Sequence, residues 1–392
     1  MKRKDYRRIS GLIKARVPDL GLGKVEDPRK KKSCFKLSTL LKTTLVGLLS
    51  GCKSLRDMES LTAEMGKAFQ KQLGIFRRLP DTTLRDILCR LSFEDLRTCI
   101  HRQIHAAFRR KALPPFGFPF HAVSMDGKMT AIQTWDDDAC SQRHVQDATR
   151  VVFGLLRTVT SCLVTALGRP CIDVMPIPTG TNEMGHFLVA FKALVLALGK
   201  CFQVVMYDAG AYSKDNANAV VEAQKDYVFR LKGRHEVKKT AELLLGEQTV
   251  PKAHTEDVLT NKKSVIRQVF LHEVAEIRRS VIFSKHTKTL IRIRSEIHNH
   301  GQIESVEVDV PFAEDDHPWI TGNARGALVV LLLRRMAYNL LTLFRSVTQR
   351  SEEKRATPWK DLLRFVYNAV IAASAKDILG LRVRKIVPVF VG

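Results

Sequence analysis

Apolar residues recur at helical spacing through the first hundred positions and at strand spacing through much of the next two hundred. In LSTLLKTTLVGLL they fall at 37, 40, 41, 45, 48 and 49, which places them on one buried face of a helix. Gly51 closes that run, and SLRDMESLTAEMG opens a second helix with Ser54 at its N-cap. LPDTTLRDILCRLSFEDLRTCIHRQIHAAFRRK keeps the period. There Asp81 or Thr82 can cap one helix, and Ser92 with Asp95 opens another in capping-box form. Residues 1–113 thus read as a helical domain, and the Pro- and Phe-rich PPFGFPF (114–120) marks its boundary.

Beyond it, HAVSMDG, VVFGLLRTVT, CIDVMPI, FQVVMYDAG and DYVFRLKG are short β-branched or apolar segments, some separated by helical patterns such as HFLVAFKALVLALGK. Strands alternating with helices predict an α/β domain. Between about 233 and 293, SVIRQVFLHEV, RRSVIFSK and TLIRIRSEI alternate without helical patterns between them, which predicts a β-rich insertion. The last third returns to helix in ALVVLLLRRMAYNLLTLFRSV and PWKDLLRFVYNAVIAASA, with Pro358 at a helix start. Arg334 and Arg335 interrupt the most apolar stretch, so a membrane span is not expected and no membrane partner is implied.

Charge narrows the partner. Lys and Arg total 64 against 40 acids, a formal net charge of +24, which points to a polyanion, nucleic acid first among them. The excess is dense at the start, where KRKDYRR and PRKKKSCFK present bases suited to phosphates, Lys30, Lys31 and Lys32 among them. The eight cysteines show no CxxC spacing, which excludes a zinc finger and reads as reduced core thiols of an intracellular, cytoplasmic protein. No Gly-rich phosphate loop occurs, so ATP is not implied.

Two acids stand out in this basic chain. VSMDGKM carries Asp126 after an apolar approach, and VVMYDAG carries Asp208 at the end of an apolar strand. An isolated Asp-Gly marks a turn as readily as a site. Acids at the carboxyl ends of neighbouring strands, however, face a ligand crevice and can hold divalent metal.

In order and spacing, several segments together resemble an insertion-sequence DDE transposase of the bacterial H-repeat-associated type. They are DPRKKKSCFKLSTLLKTTLVGLLSGCKSLRDMESL, SMDGK, IPTGTNEMGHF, VVMYDAG with YVFRLKG, and AEDDHPWITGNARGALVVLLLRRMAYNLL. The resemblance spans nearly the whole chain. It implies a ribonuclease-H-like DDE catalytic domain over 118–345, a mixed sheet with flanking helices and the β-rich insertion, between a helical DNA-binding domain and a helical C-terminal segment at 346–392. It also implies that two Asp and one Glu hold two Mg²⁺ (or Mn²⁺) ions. Asp126 and Asp208 carry over as the first two. The third falls at Glu304 in HGQIES, with Glu296 in reserve, although VEVDV alternates like a strand where the family has a helix.

Asn182 and Glu183 match the family's Asn-Glu signature; a plain helix cap explains them equally well. Lys128, Lys232, Arg234 and His300 join Lys30–Lys32 as expected DNA contacts. The implied activity is cleavage and transfer of DNA strands at element ends by a homodimer or higher assembly bound to terminal repeats and target DNA, next to the bacterial nucleoid. A DNA-binding relative without chemistry, or a metal-dependent nuclease without strand transfer, are the alternatives.

Overall fold

The computed structural model describes residues 11–371 except 12, 31–32, 118, 134–138, 141–142, 147–150, 209–211, 232–235, 247–249, 259–262, 275–285, 300–301, 304–318 and 349–358. The chain divides into two compact units. One comprises residues 1–182, 192–203 and 316–392, and the other 183–191 and 204–315.

The first unit contains α1 (Leu37–Leu49), α2 (Leu55–Glu64), α3 (Lys67–Leu73), α4 (Asp81–Leu88) and α5 (Phe93–Arg109); the periodicity predicts all of these helices but the short α3. Ser54 caps α2 by accepting from Asp57 N–H at 3.1 Å, and Ser92 caps α5 by accepting from Asp95 N–H at 3.2 Å. Pro80, not Asp81 or Thr82, occupies the cap position of α4, so Asp81 is already in its first turn. The helix α1 is buried on nearly all sides. Its two buried threonines satisfy themselves, Thr43 and Thr44 donating to the carbonyls of Thr39 and Leu40 at 2.8 and 2.9 Å. Gly47 lets α2 cross closely, since a Cβ there would lie 1.6 Å from Met58 Sδ.

The antiparallel strands of this unit are β1 (Ala122–Ile132), β2 (Arg143–Gln146), β3 (Val151–Val164) and β4 (Cys171–Pro176). β1 lies along one edge of β3 in an unbroken register from Ala122↔Val164 to Ile132↔Gly154, and β2 and β4 pair with β3. The long helix α9 (Ala324–Thr348) is a core element, with Ala327, Val329, Val330, Leu332, Leu333 and Met336 all 0% exposed. The arginine pair that interrupts its apolar run is accommodated: Arg334 lies over the Trp319 ring at 5.5 Å, and Arg335 is itself buried. The last described helix is α10 (Trp359–Ile371).

Two buried polar networks lock this unit. Arg97 of α5 donates through Nε and Nη2 to the two carboxylate oxygens of Asp173 in β4, at 2.6 and 2.7 Å, and His101 Nε2 adds a third bond at 2.9 Å. Burial pushes the Asp173 carboxyl up, but the bonds from Arg97 and His101 outweigh it and hold it below its ordinary value. Asn339 of α9 pairs with Cys171 as a strand would, accepting from its N–H at 2.9 Å and donating to its carbonyl at 2.7 Å, and also donates to Gln103. An acid in the middle of CIDVMPI is the sequence sign of such a partner, because a charge inside an apolar strand needs one.

The second unit holds the parallel pair β5 (Val204–Tyr207) and β6 (Asp226–Phe229), in register from Val204↔Asp226 to Tyr207↔Phe229. Helix α7 (Lys214–Glu222) connects them. The helix α6 (Glu183–Leu198) gives its first nine residues to this unit and the rest to the other. The β-rich region expected here is present as β7 (Ala253–Val258), β8 (Lys263–Glu273), β9 (Thr289–Asn299) and β10 (Gln302–Ile303), an antiparallel sheet in the order β10-β9-β8-β7. It is not purely β: a helix, α8 (Glu236–Gly246), supplies Ala241 and Leu245 to a small core with Phe270, Val274 and Leu290. The fold is mixed α/β with flanking helices, as the sequence predicts.

Candidate active site

Asp126 does not end a strand. It is the fifth residue of the eleven in β1, which continues through Asp-Gly without a turn. The turn reading fails because both residues of the dipeptide are paired, Asp126 with Thr160 and Gly127 with Val159. Alternation sends Val123 and Met125 into the core and sets Ser124, Asp126 and Lys128 on the opposite face. There their cross-strand partners are Cys162, Thr160 and Thr158.

This face is polar and charged. Cys162 registers the charges around it. The hydrogen bond with Cys171 lowers its thiol pKa most; Arg335 and Lys128 lower it further, while burial and the Asp126 charge oppose them. Burial pushes Cys171 well up. Asp126 therefore sits half-buried, next to Lys128 along its strand and within electrostatic reach of a thiol that also senses Arg335. Asp126 and Lys128 are legible along the chain; Arg335, Thr158 and Thr160 are not, because they become neighbours only through packing.

Asp208 is placed as expected, exposed and directly after β5. The residue before it, Tyr207, is anchored. The Tyr207 hydroxyl donates to Glu183 Oε1 at 2.9 Å, and its ring meets Phe187 edge-on at 5.2 Å. Phe187 in turn meets Phe229 edge-on at 5.6 Å. Arg230 N–H donates to the Tyr207 carbonyl at 3.1 Å, continuing the β5–β6 ladder past its last pair. Asn216 of α7 donates to the Met184 carbonyl at 3.3 Å. Asn182 immediately precedes α6, and Glu183 opens it. The Asn-Glu pair thus begins a helix, and its Glu also holds the residue before Asp208.

Of the remaining expected residues, Glu304, His300, Lys31, Lys32, Lys232 and Arg234 lie outside the described residues. Lys30 is exposed in the loop before α1. Glu296 is half-buried in β9, opposite Ile266 of β8. Among the described residues no group of three or more His, Cys, Asp or Glu side chains could hold a metal. Asp126 and Asp208 offer carboxylate oxygens, the donor type that suits Mg²⁺ or Mn²⁺.

Residues 21–104 match the family model described as DDE_Tnp_1-associated. No curated protein matches the chain. Among solved structures, the cryo-EM structure of a piggyBac transposase synaptic complex with hairpin DNA aligns at a TM-score of 0.36 and 12% identity, over 97% of this chain and 82% of that one. A likeness of that degree carries no structural detail across. The helical N-terminal segment is thus similar to a DDE_Tnp_1-associated domain, and that match supports the resemblance to DDE-type transposases read from the sequence.

Proposed function

We propose that this chain is the transposase of an insertion sequence, binding the ends of its element and cleaving and rejoining DNA strands there. The observation that carries the reading is the match of residues 21–104 to a domain that accompanies DDE transposases. Two aspartates at the positions its resemblance requires support it. In this reading Asp126, Asp208 and Glu304 hold two divalent ions. Bound Mg²⁺ supplies an activated water or 3′-hydroxyl and stabilisation of the leaving oxygen.

The chain's own residues do the rest. β1 holds the Asp126 carboxylate by pairing through the Asp-Gly step, and Lys128, on the same face, meets a DNA phosphate. The Glu183–Tyr207 hydrogen bond keeps the end of β5 from fraying, so that Asp208 stays where the strand delivers it. Lys30–Lys32, Lys232, Arg234 and His300 contact the DNA backbone, and the protein works in the bacterial cytoplasm as a homodimer or higher assembly on paired ends.

A second reading has its own support. Gln302 and Ile303 form a strand, β10, paired with Asn299 and His298. The resemblance would have a helix at the third acid. A relative that binds DNA without cutting it fits the strand-like alternation of VEVDV in the sequence there. Labelled fragments of the DNA flanking its gene, mixed with target plasmid and Mg²⁺, separate the possibilities. Cleavage with joining supports the transposase, cleavage alone a nuclease, and binding without either the inactive relative.

A further inference from the structure

Between α3 and α4 the chain holds an aromatic ring in water. Phe76 is 80% exposed, whereas Ile75 before it and Leu79 after it are both 0% exposed. Gly74 ends α3 in the left-handed region at φ +76°, where a side chain would be strained. Ile75 N–H then donates to the Gln70 carbonyl at 2.9 Å, and Leu79 N–H donates to Thr62 Oγ1 at 3.0 Å. The tip Phe76-Arg77-Arg78 is therefore pinned at both ends and projected by its anchors.

The surroundings of this tip are cationic. From 67 to 78 the chain carries Lys67, Lys71, Arg77 and Arg78 and no acid. Lys67, Lys71 and Arg77 are exposed. The Arg77 guanidinium lies 5.3 Å from the centroid of Phe35, joining this tip to the loop that carries exposed Lys30 and Lys36. Arg78 is engaged by Glu59 and acts as a brace.

We propose that Phe76 is a base-stacking residue. Its ring stacks on an unpaired base of a DNA end or fork, while Lys67, Lys71 and Arg77 hold the flanking phosphates. A rigidly presented ring has a use on nucleic acid that a loose one lacks, because every base offers a π-face and stacking tolerates any sequence. An intact duplex hides those faces and would have to be unstacked first. With Glu59 engaged by Arg78, the exposed Lys67, Lys71 and Arg77 suit a polyanion better than an average protein surface. The inference rests on the DNA-processing reading and adds the feature of the DNA that this domain recognises.

The test is DNA binding by the full chain in EDTA, so that cleavage does not intervene. The probes are a blunt duplex and the same duplex with a short single-stranded overhang containing 2-aminopurine. The wild type should bind the overhang probe and quench its 2-aminopurine. Phe76→Ala should lose the quenching and weaken overhang binding about tenfold or more, with a much smaller change on the blunt duplex. Phe76→Trp should restore both signals, and thermal melts of both variants should match the wild type. If Phe76→Ala binds and quenches like the wild type, or loses equally on both probes, the stacking role is wrong while the transposase reading stands. If the wild type binds neither probe, both fall.

Discussion

The two aspartates are held in opposite ways. Asp126 lies inside an eleven-residue strand paired along its whole length with β3, in a unit cross-braced by Arg97–Asp173 and Asn339–Cys171. Asp208 follows a strand of four residues and is exposed, and the residue before it is held by a side-chain hydrogen bond to Glu183 and an aromatic cluster. The first is positioned by a frame that cannot move without breaking several buried interactions. The strand end before the second is held by Glu183, Tyr207 and Phe187, which can be changed one at a time.

Substitutions should expose this difference. The largest effect is expected for Arg97→Ala, which leaves Asp173 charged and buried beside His101 without its guanidinium partner. Breaking a buried pair costs about 3–5 kcal/mol, and chemical denaturation should show it as loss of global stability. Phe187→Ala removes a side chain that is 0% exposed and should cost about 3–5 kcal/mol by the usual cavity penalty. Its distinguishing mark is faster hydrogen exchange at Val204–Tyr207 while β1 and β3 keep their protection. Gly47→Ala forces Met58, itself 0% exposed, to repack and should cost about 1–3 kcal/mol. Tyr207→Phe removes only the bond to Glu183, worth about 0.5–1.5 kcal/mol. It should lower strand-cleavage rate more than it lowers the melting temperature, whereas a purely structural role would lower them together.

The frame also predicts an acid response. The folded Asp173 carboxyl lies below its ordinary value of 3.8. Its contribution is therefore complete at neutral pH and is lost as pH falls below about 4, through the folded pKa. Asp173→Asn should remove that part of the acid dependence and destabilise the protein at pH 7, as equilibrium unfolding across pH would show.

Much of the frame is legible in the sequence, because helical periodicity and Ser caps are local signals: Ser54 and Ser92 cap the helices they are expected to cap. Asp208 is legible because an apolar run ending in an acid needs only strand spacing to be read. The setting of Asp126 is not, since Asp-Gly favours a turn locally and only pairing with β3, about thirty-four residues away in register, overrides it. α8 escapes notice because its flanks alternate so strongly as strands. The tie between Glu183 and Tyr207 spans 24 residues, and no pattern along the chain announces it.

The proposed chemistry stands or falls with Asp126 as part of a metal-dependent strand-cleaving site. The direct measurement is cleavage of labelled flanking DNA in Mg²⁺ by wild type and Asp126→Asn, with binding affinity measured on the same samples. Asp126→Asn should bind DNA as the wild type does and cut none of it. Equal cleavage by the two proteins would contradict a catalytic role for this carboxylate.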